Sequence, residues 1–213
     1  MKFDAVIFDL DGTLIDTEAL GWQAGRAAFE AHGIALDEDL FHQLVGKDKG
    51  TGGQILRDFY GDIDLESINR HWLEGVNALY AEGIPHKKGL MEALAAVDRA
   101  GLPKAIATSS QLDEAALKMA KSGLDAHFDV VVTVAHVERA KPAPDPYLLA
   151  AEKLGVAPER ALAFEDSETG AEAAFAAGLT VVQVPDVIPS SRRFAHFVAD
   201  DLASGLEWAG IEV

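Results

Sequence analysis

Between Leu90 and Val184 the chain repeats one pattern: a helical stretch, a glycine, then a short run of strand formers. Helix Leu90–Ala100 leads through Gly101 to strand Lys104–Ala107, and helix Leu112–Ser122 ends at Gly123 before strand Asp129–Thr133. Helix Pro146–Leu154 ends at Gly155 before strand Ala161–Phe164, and helix Glu168–Ala177 ends at Gly178 before strand Thr180–Val184. Strands alternating with helices of about ten residues mean a parallel sheet with right-handed crossovers. The pattern therefore predicts an α/β fold with a Rossmann-like parallel sheet. Phe3–Phe8, apolar throughout except Asp4, adds one more buried strand, ended by Gly12. A short strand near His196–Ala199 and a helix after Ser204 complete the expectation.

No strand is readable between Ile15 and Pro85. Helical patterns run there over Thr17–Ala31, Asp37–Val45, Gly53–Tyr60 and Leu65–Ala81. The predicted organisation is one α/β core, residues 1–14 and 86–213, with a helical domain, residues 15–85, inserted after the first strand. Thr13–Asp16 and Gly83–Gly89 are the linkers, and the Gly and Pro of the second suit a hinge. The inserted domain's aromatics Trp22, Phe29, Phe41, Tyr60 and Trp72 are expected to form its core. Helix ends are chemically marked: Ser110 and Ser167 as N-caps, and Asp145-Pro146 as N-cap and first helical position.

At 213 residues and 49% hydrophobic, the chain can build a full core, with room for one domain or one plus an insert. Cysteine is absent, which excludes a disulfide framework, a zinc ribbon and a thiol nucleophile. A net charge of −17 argues against nucleic acid or an anionic membrane as partner. No stretch approaches a membrane span, and Asp4, Asp9 and Asp11 interrupt any apolar leader after Met1-Lys2. The expectation is a soluble, cytoplasmic, monomeric chain acting on a small molecule.

In an open parallel sheet, ligands bind beyond the carboxyl ends of the strands. Four such ends carry polar residues: Asp9 and Asp11; Thr108-Ser109-Ser110; Lys141, after a loop; and Glu165-Asp166. Asp9 and Asp11, two apart, repel unless one is protonated or a cation neutralises them. A lone Asp-x-Asp-Gly reads as a solvated turn, but Glu165 and Asp166 bring four acidic groups toward one place. An all-oxygen donor set without Cys or clustered His suits Mg²⁺. A carboxylate the metal does not fully use can act as nucleophile, and a neighbouring one can carry protons. Thr108-Ser109-Ser110 ahead of a helix form an anion site. Lys141, stiffened by Pro142, Pro144 and Pro146, offers a point charge to a phosphoryl oxygen.

These motifs together resemble the haloacid dehalogenase superfamily. Phe8-Asp9-Leu10-Asp11-Gly12-Thr13-Leu14 matches its first motif, Thr108 its second, Lys141-Pro142 its third and Phe164-Glu165-Asp166-Ser167 its fourth. Their order and spacing, with a helical cap after the first strand, look most like the β-phosphoglucomutase-like branch, which includes many sugar-phosphate phosphatases. The resemblance implies a Mg²⁺-dependent phosphatase of a small phosphorylated metabolite. In that scheme Asp9 attacks phosphorus and becomes an aspartyl-phosphate, while Asp11 protonates the leaving oxygen and then activates water. Asp9, the main-chain carbonyl of Asp11, and Asp166 hold the metal, with Glu165 beside it. Thr108 and Lys141 bind the phosphoryl oxygens and orient Asp9, and Gly12, Ser109 and Ser110 line the phosphate.

Selectivity is expected in the cap, from Glu18, Lys47 and Lys49. β-Phosphoglucomutases carry a His shortly after the first motif and an Arg in a cap loop. Here Gly21 stands at the first position, and the loop Val45–Gly50 offers Lys instead. Lys binds phosphate without a bidentate fork, which favours hydrolysis over a phosphomutase, the alternative activity. A receiver-type signalling module, which also uses Asp, Thr and Lys at strand ends, has no helical insert and places its Asp after a middle strand.

Overall fold

The computed structural model describes residues 2–46 and 49–213, apart from the Lys49 side chain. The chain divides into two compact units, Met1–Asp16 with Pro85–Val213, and Thr17–Ile84.

The chain begins with β1 (Ala5–Phe8) and then enters the second unit, built from α1 (Thr17–Glu30), α2 (Glu38–Leu44), α3 (Lys49–Tyr60) and α4 (Leu65–Glu82). Asp37 and Asp64 cap α2 and α4, accepting from the main-chain N–H of Leu40 and Ser67. Phe29, Phe41, Ile68 and Leu56 form this unit's core, with Trp22, Tyr60 and Trp72 packed against it. Gly25 lets α1 and α4 approach closely, because a Cβ there would lie 2.6 Å from the Trp72 ring. The indole N–H of Trp72 donates to the Gly21 carbonyl at 2.9 Å. Helix α3 begins four residues before the expected Gly53, through a glycine-rich turn whose periodicity is weak.

The other unit continues with α5 (Leu90–Arg99), β2 (Lys104–Ala107), α6 (Leu112–Ser122), β3 (Val130–Val132), α7 (Asp145–Leu154), β4 (Ala161–Glu165), α8 (Glu168–Ala176), β5 (Thr180–Gln183), β6 (Phe197–Val198) and α9 (Leu202–Trp208). Its six strands form one parallel sheet in the order β3-β2-β1-β4-β5-β6. Alanines at 105, 107, 161 and 163 and Tyr147, Ala150 and Ala151 of α7 belong to one buried cluster. Gly123 and Gly155 end α6 and α7 in the left-handed conformation, as expected. Ser167 caps α8, accepting from Gly170 N–H at 3.1 Å.

Two capping expectations are corrected. Gln111, without a side-chain bond, stands at the α6 cap, because the Ser110 hydroxyl is engaged elsewhere. Pro144 stands at the α7 cap, and the Asp145 carboxylate takes the Arg139 guanidinium at 2.8 and 3.1 Å.

The two segments at which this unit is interrupted lie against each other. Ile15 pairs with His86, Asp16 N–H donates to the Pro85 carbonyl, and Lys87 N–H donates to the Leu14 carbonyl. Among the described residues no helix is long and apolar enough to cross a membrane.

Packing is close where α9 meets β4 and β5. A Cβ on Gly205 would lie 2.5 Å from the Phe164 ring and 2.8 Å from Val182 Cγ1. Gly205→Ala is therefore expected to destabilise the protein by about 1–3 kcal/mol through overpacking. That outweighs the roughly 0.5–1 kcal/mol that alanine gains over glycine within a helix. The midpoint of urea unfolding checks it.

Candidate active site

Strand register brings the acidic residues together. Phe8 and Phe164 are paired across β1 and β4, and their rings stack at 5.3 Å. The residues that follow, Asp9 and Glu165, are thereby neighbours at the carboxyl edge, and Asp9 N–H donates to the Phe164 carbonyl at 2.9 Å. Asp166 comes next along the chain. Carboxylate oxygens of Asp9, Glu165 and Asp166 lie within 4.8 Å of one another.

Lys141 reaches this cluster from the loop between β3 and α7. Its ammonium, on a side chain 3% exposed, lies 2.6 Å from Asp9 Oδ1 and 2.5 Å from Glu165 Oε1. Glu165 is fully buried and also accepts from the Tyr147 hydroxyl at 2.6 Å and the Ser167 hydroxyl at 3.1 Å. A buried carboxylate is costly unless paired and hydrogen-bonded, and these three donors meet that need. Gly170 permits the arrangement, since a Cβ there would overlap the Glu165 carboxylate. Burial pushes the Asp9 carboxyl well up against the pull of Lys141, and the Glu165 charge adds to the rise. Burial alone would lower the Lys141 ammonium, but Asp9 and Glu165 outweigh it and hold its pKa above the ordinary value. Burial, then the charges of Glu165 and Asp9, push the Tyr147 phenol well up, so it remains a donor.

Gly12 adopts φ +77°, and any Cβ there would lie 2.6 Å from Asp166 Oδ2. Both the turn and the closeness of the carboxylate require glycine at this position. Thr13 donates to Asp166 Oδ1 at 3.3 Å, and the buried Gln183 amide donates to the Asp166 main-chain carbonyl at 3.1 Å.

The Asp11 carboxylate, whose charge acts on Asp9, has partners of its own. Its Oδ1 takes the Lys118 ammonium at 2.7 Å, and its Oδ2 accepts from the Ser110 hydroxyl at 2.9 Å. Thr108 is buried at the end of β2, where its Oγ1 accepts from Ser110 N–H at 3.1 Å, and Ser109 is exposed. In the helical unit, Glu18 lines a cavity of about 310 Å³ together with Phe41, Asn69 and Trp72. Lys47 and the Lys49 side chain lie outside the described residues.

Sequence reasoning did not single out Lys118, Tyr147 or Gln183. Lys118 carried a signal: it falls on the apolar stripe of α6 with Ala115, Met119 and Ser122, where a lysine is out of place. Tyr147 and Gln183 looked like ordinary core positions.

With all groups ionised, three carboxylates against one ammonium leave this pocket two negative charges in excess. The oxygen-only donor set and that excess fit a divalent cation such as Mg²⁺. The family profile of the haloacid dehalogenase-like hydrolases matches residues 6–184. The chain is 37% identical over 177 residues to a phosphorylated carbohydrates phosphatase of Thermotoga maritima, covering 83% of this chain and 82% of that one. Among solved structures it is similar to a HAD family hydrolase of Deinococcus radiodurans with bound phosphate and sodium, with a TM-score of 0.86, 29% identity, and coverage of 98% and 97% of the two chains. It is also similar to CbbY of Rhodobacter sphaeroides in complex with xylulose-(1,5)bisphosphate, with a TM-score of 0.75, 30% identity, and coverage of 99% and 100%. The chain belongs to the haloacid dehalogenase-like hydrolases.

Removing the Tyr147 hydroxyl leaves Glu165 one donor short. Tyr147→Phe is expected to cost about 1–3 kcal/mol, the penalty for an unmet buried acceptor. Thermal and urea unfolding compared with the parent protein check it.

Proposed function

We propose that this protein hydrolyses a phosphate monoester of a small hydroxylated metabolite, with a sugar phosphate as the favoured class. The observation that carries the reading is the buried Asp9, paired with Lys141 and set beside an acidic pair that with it could hold a divalent cation. Its support from outside the chain is the similarity to phosphatases of phosphorylated carbohydrates.

In this reading the sheet unit is the catalytic core and the four-helix unit is a cap that supplies selectivity, with Glu18, Lys47 and Lys49 as its contacts. Asp9, Asp166 and the main-chain carbonyl of Asp11 would hold Mg²⁺, with Glu165 beside them; when bound, the ion neutralises charge on the phosphoryl oxygens. An Asp9 oxygen attacks phosphorus, an O–P bond forms, and the bond to the leaving alcohol oxygen breaks with its electron pair on that oxygen. Asp11, protonated, gives its proton to the departing oxygen. Water then attacks the phosphorus of the aspartyl-phosphate and yields its proton to the Asp11 carboxylate. The Asp9 carboxylate leaves, releasing inorganic phosphate. Lys141 and Thr108 orient Asp9 and the phosphoryl group, as phosphoryl transfer chiefly requires positioning and charge neutralisation.

A panel of phosphorylated sugars and polyols, assayed for phosphate release with Mg²⁺, tests the substrate class. Asp9→Asn is expected to reduce turnover by at least about a thousandfold with the fold retained, because the nucleophile is lost. EDTA is expected to stop release, and excess Mg²⁺ to restore it. Undiminished hydrolysis in either experiment would sink the scheme.

A further inference from the structure

Lys118 stands on the buried face of α6 and is only 5% exposed. Burying a lysine is costly unless its charge is met. Its ammonium has three hydrogens and meets three acceptors: Asp11 Oδ1 at 2.7 Å, Glu114 Oε1 at 2.6 Å and Ser110 Oγ at 3.1 Å. Ser110 in turn donates to Asp11 Oδ2 at 2.9 Å. Asp11, Lys118 and Ser110 thus close a ring in which both carboxylate oxygens are fixed. An aspartate has two free side-chain torsions, and this ring removes both.

We infer that Lys118, acting with Ser110, is a positioning residue: the ring holds the ionised Asp11 carboxylate and so sets the orientation from which that carboxyl, once protonated, serves the leaving oxygen. The inference rests on the reading of Asp11 as the proton donor given above. Lys118 belongs to none of the four motifs that mark the family, and its ammonium is held by Asp11, Glu114 and Ser110, not by the Asp9, Glu165 or Asp166 carboxylates. Its influence on the reaction passes through Asp11. Burial would lower the ammonium's pKa, but Asp11 and then Glu114 outweigh it, so the charge persists.

The chemistry provides a readout that a purely structural role would not move. An alkoxide leaves poorly unless protonated, whereas nitrophenolate leaves without a proton. The ratio kcat/KM covers steps only through departure of the alcohol, so the later attack by water does not enter. We therefore compare kcat/KM for the best sugar phosphate and for p-nitrophenyl phosphate, with Mg²⁺, in the parent protein and in Asp11→Asn, Lys118→Met and Ser110→Ala. Lys118→Met is expected to lose about 10–100-fold on the sugar phosphate, by analogy with the loss when a hydrogen-bond partner that orients a metal ligand is removed. Its loss on the nitrophenyl ester should be several-fold smaller, and Ser110→Ala should show the same selectivity to a lesser degree. If Asp11→Asn is selective in this way while Lys118→Met loses equally on both esters, or gains, Lys118 has no positioning role. If Asp11→Asn itself is unselective, the proton-donor reading falls and takes the inference with it. Should Lys118→Met fail to fold by circular dichroism, Lys118→Gln and Ser110→Ala decide the question on the same ratio.

Discussion

The ammonium of Lys141, held between Asp9 and Glu165, is the contact on which the active edge of the sheet depends. Two carboxylates at adjacent strand ends with almost no exposure would repel and draw in water or protons. One cation at 2.5–2.6 Å from both makes their burial tolerable. The donors around Glu165 then follow from the same demand. Tyr147 satisfies it from α7 and Ser167 from the cap of α8, and Gly170 leaves the space Glu165 occupies. The Pro-rich segment from Pro142 to Pro146 links Lys141 to the helix that carries Tyr147, so one short stretch delivers both the cation and a hydroxyl to the same oxygen.

Asp9 and Asp11 are two residues apart yet meet different surroundings. Asp9 faces a buried lysine and two further carboxylates, while Asp11 faces another buried lysine, a serine and a more open flank. One strand end thus presents two carboxyl groups with separate cationic partners. Separation of this kind is how a pair of like groups can take unlike chemical parts.

Much of this was legible in the chain. The alternation from Leu90 to Val184 points to a parallel sheet, because a helix between strands carries the chain back to the edge it started from, and the polar residues after most of the apolar runs mark its carboxyl edge. What the residues could not reveal was which carboxylate each lysine would meet. That depends on the register between Phe8 and Phe164 and on the rotation of α6, both of which are settled by tertiary packing. Ser110 illustrates the difficulty: a serine ahead of a helix suggests a cap, yet a carboxylate and an ammonium nearby bind its hydroxyl more strongly than a main-chain N–H would. Tyr147 was silent because an aromatic on an amphipathic helix is ordinary, and only a buried acceptor opposite its hydroxyl makes it more.

The pairing of Ile15 with His86 has a topological meaning. Bridge partners lie about 5 Å apart, so the point of departure and the point of return are nearly the same place. The sheet unit has in effect a single doorway, through which Thr17–Ile84 was spliced in. Closing a loop costs only slowly more as the loop lengthens, so a long insert burdens the sheet scarcely more than a short one. A lineage can therefore exchange, shorten or elaborate the inserted piece while the register that aligns Asp9 with Glu165 stays untouched.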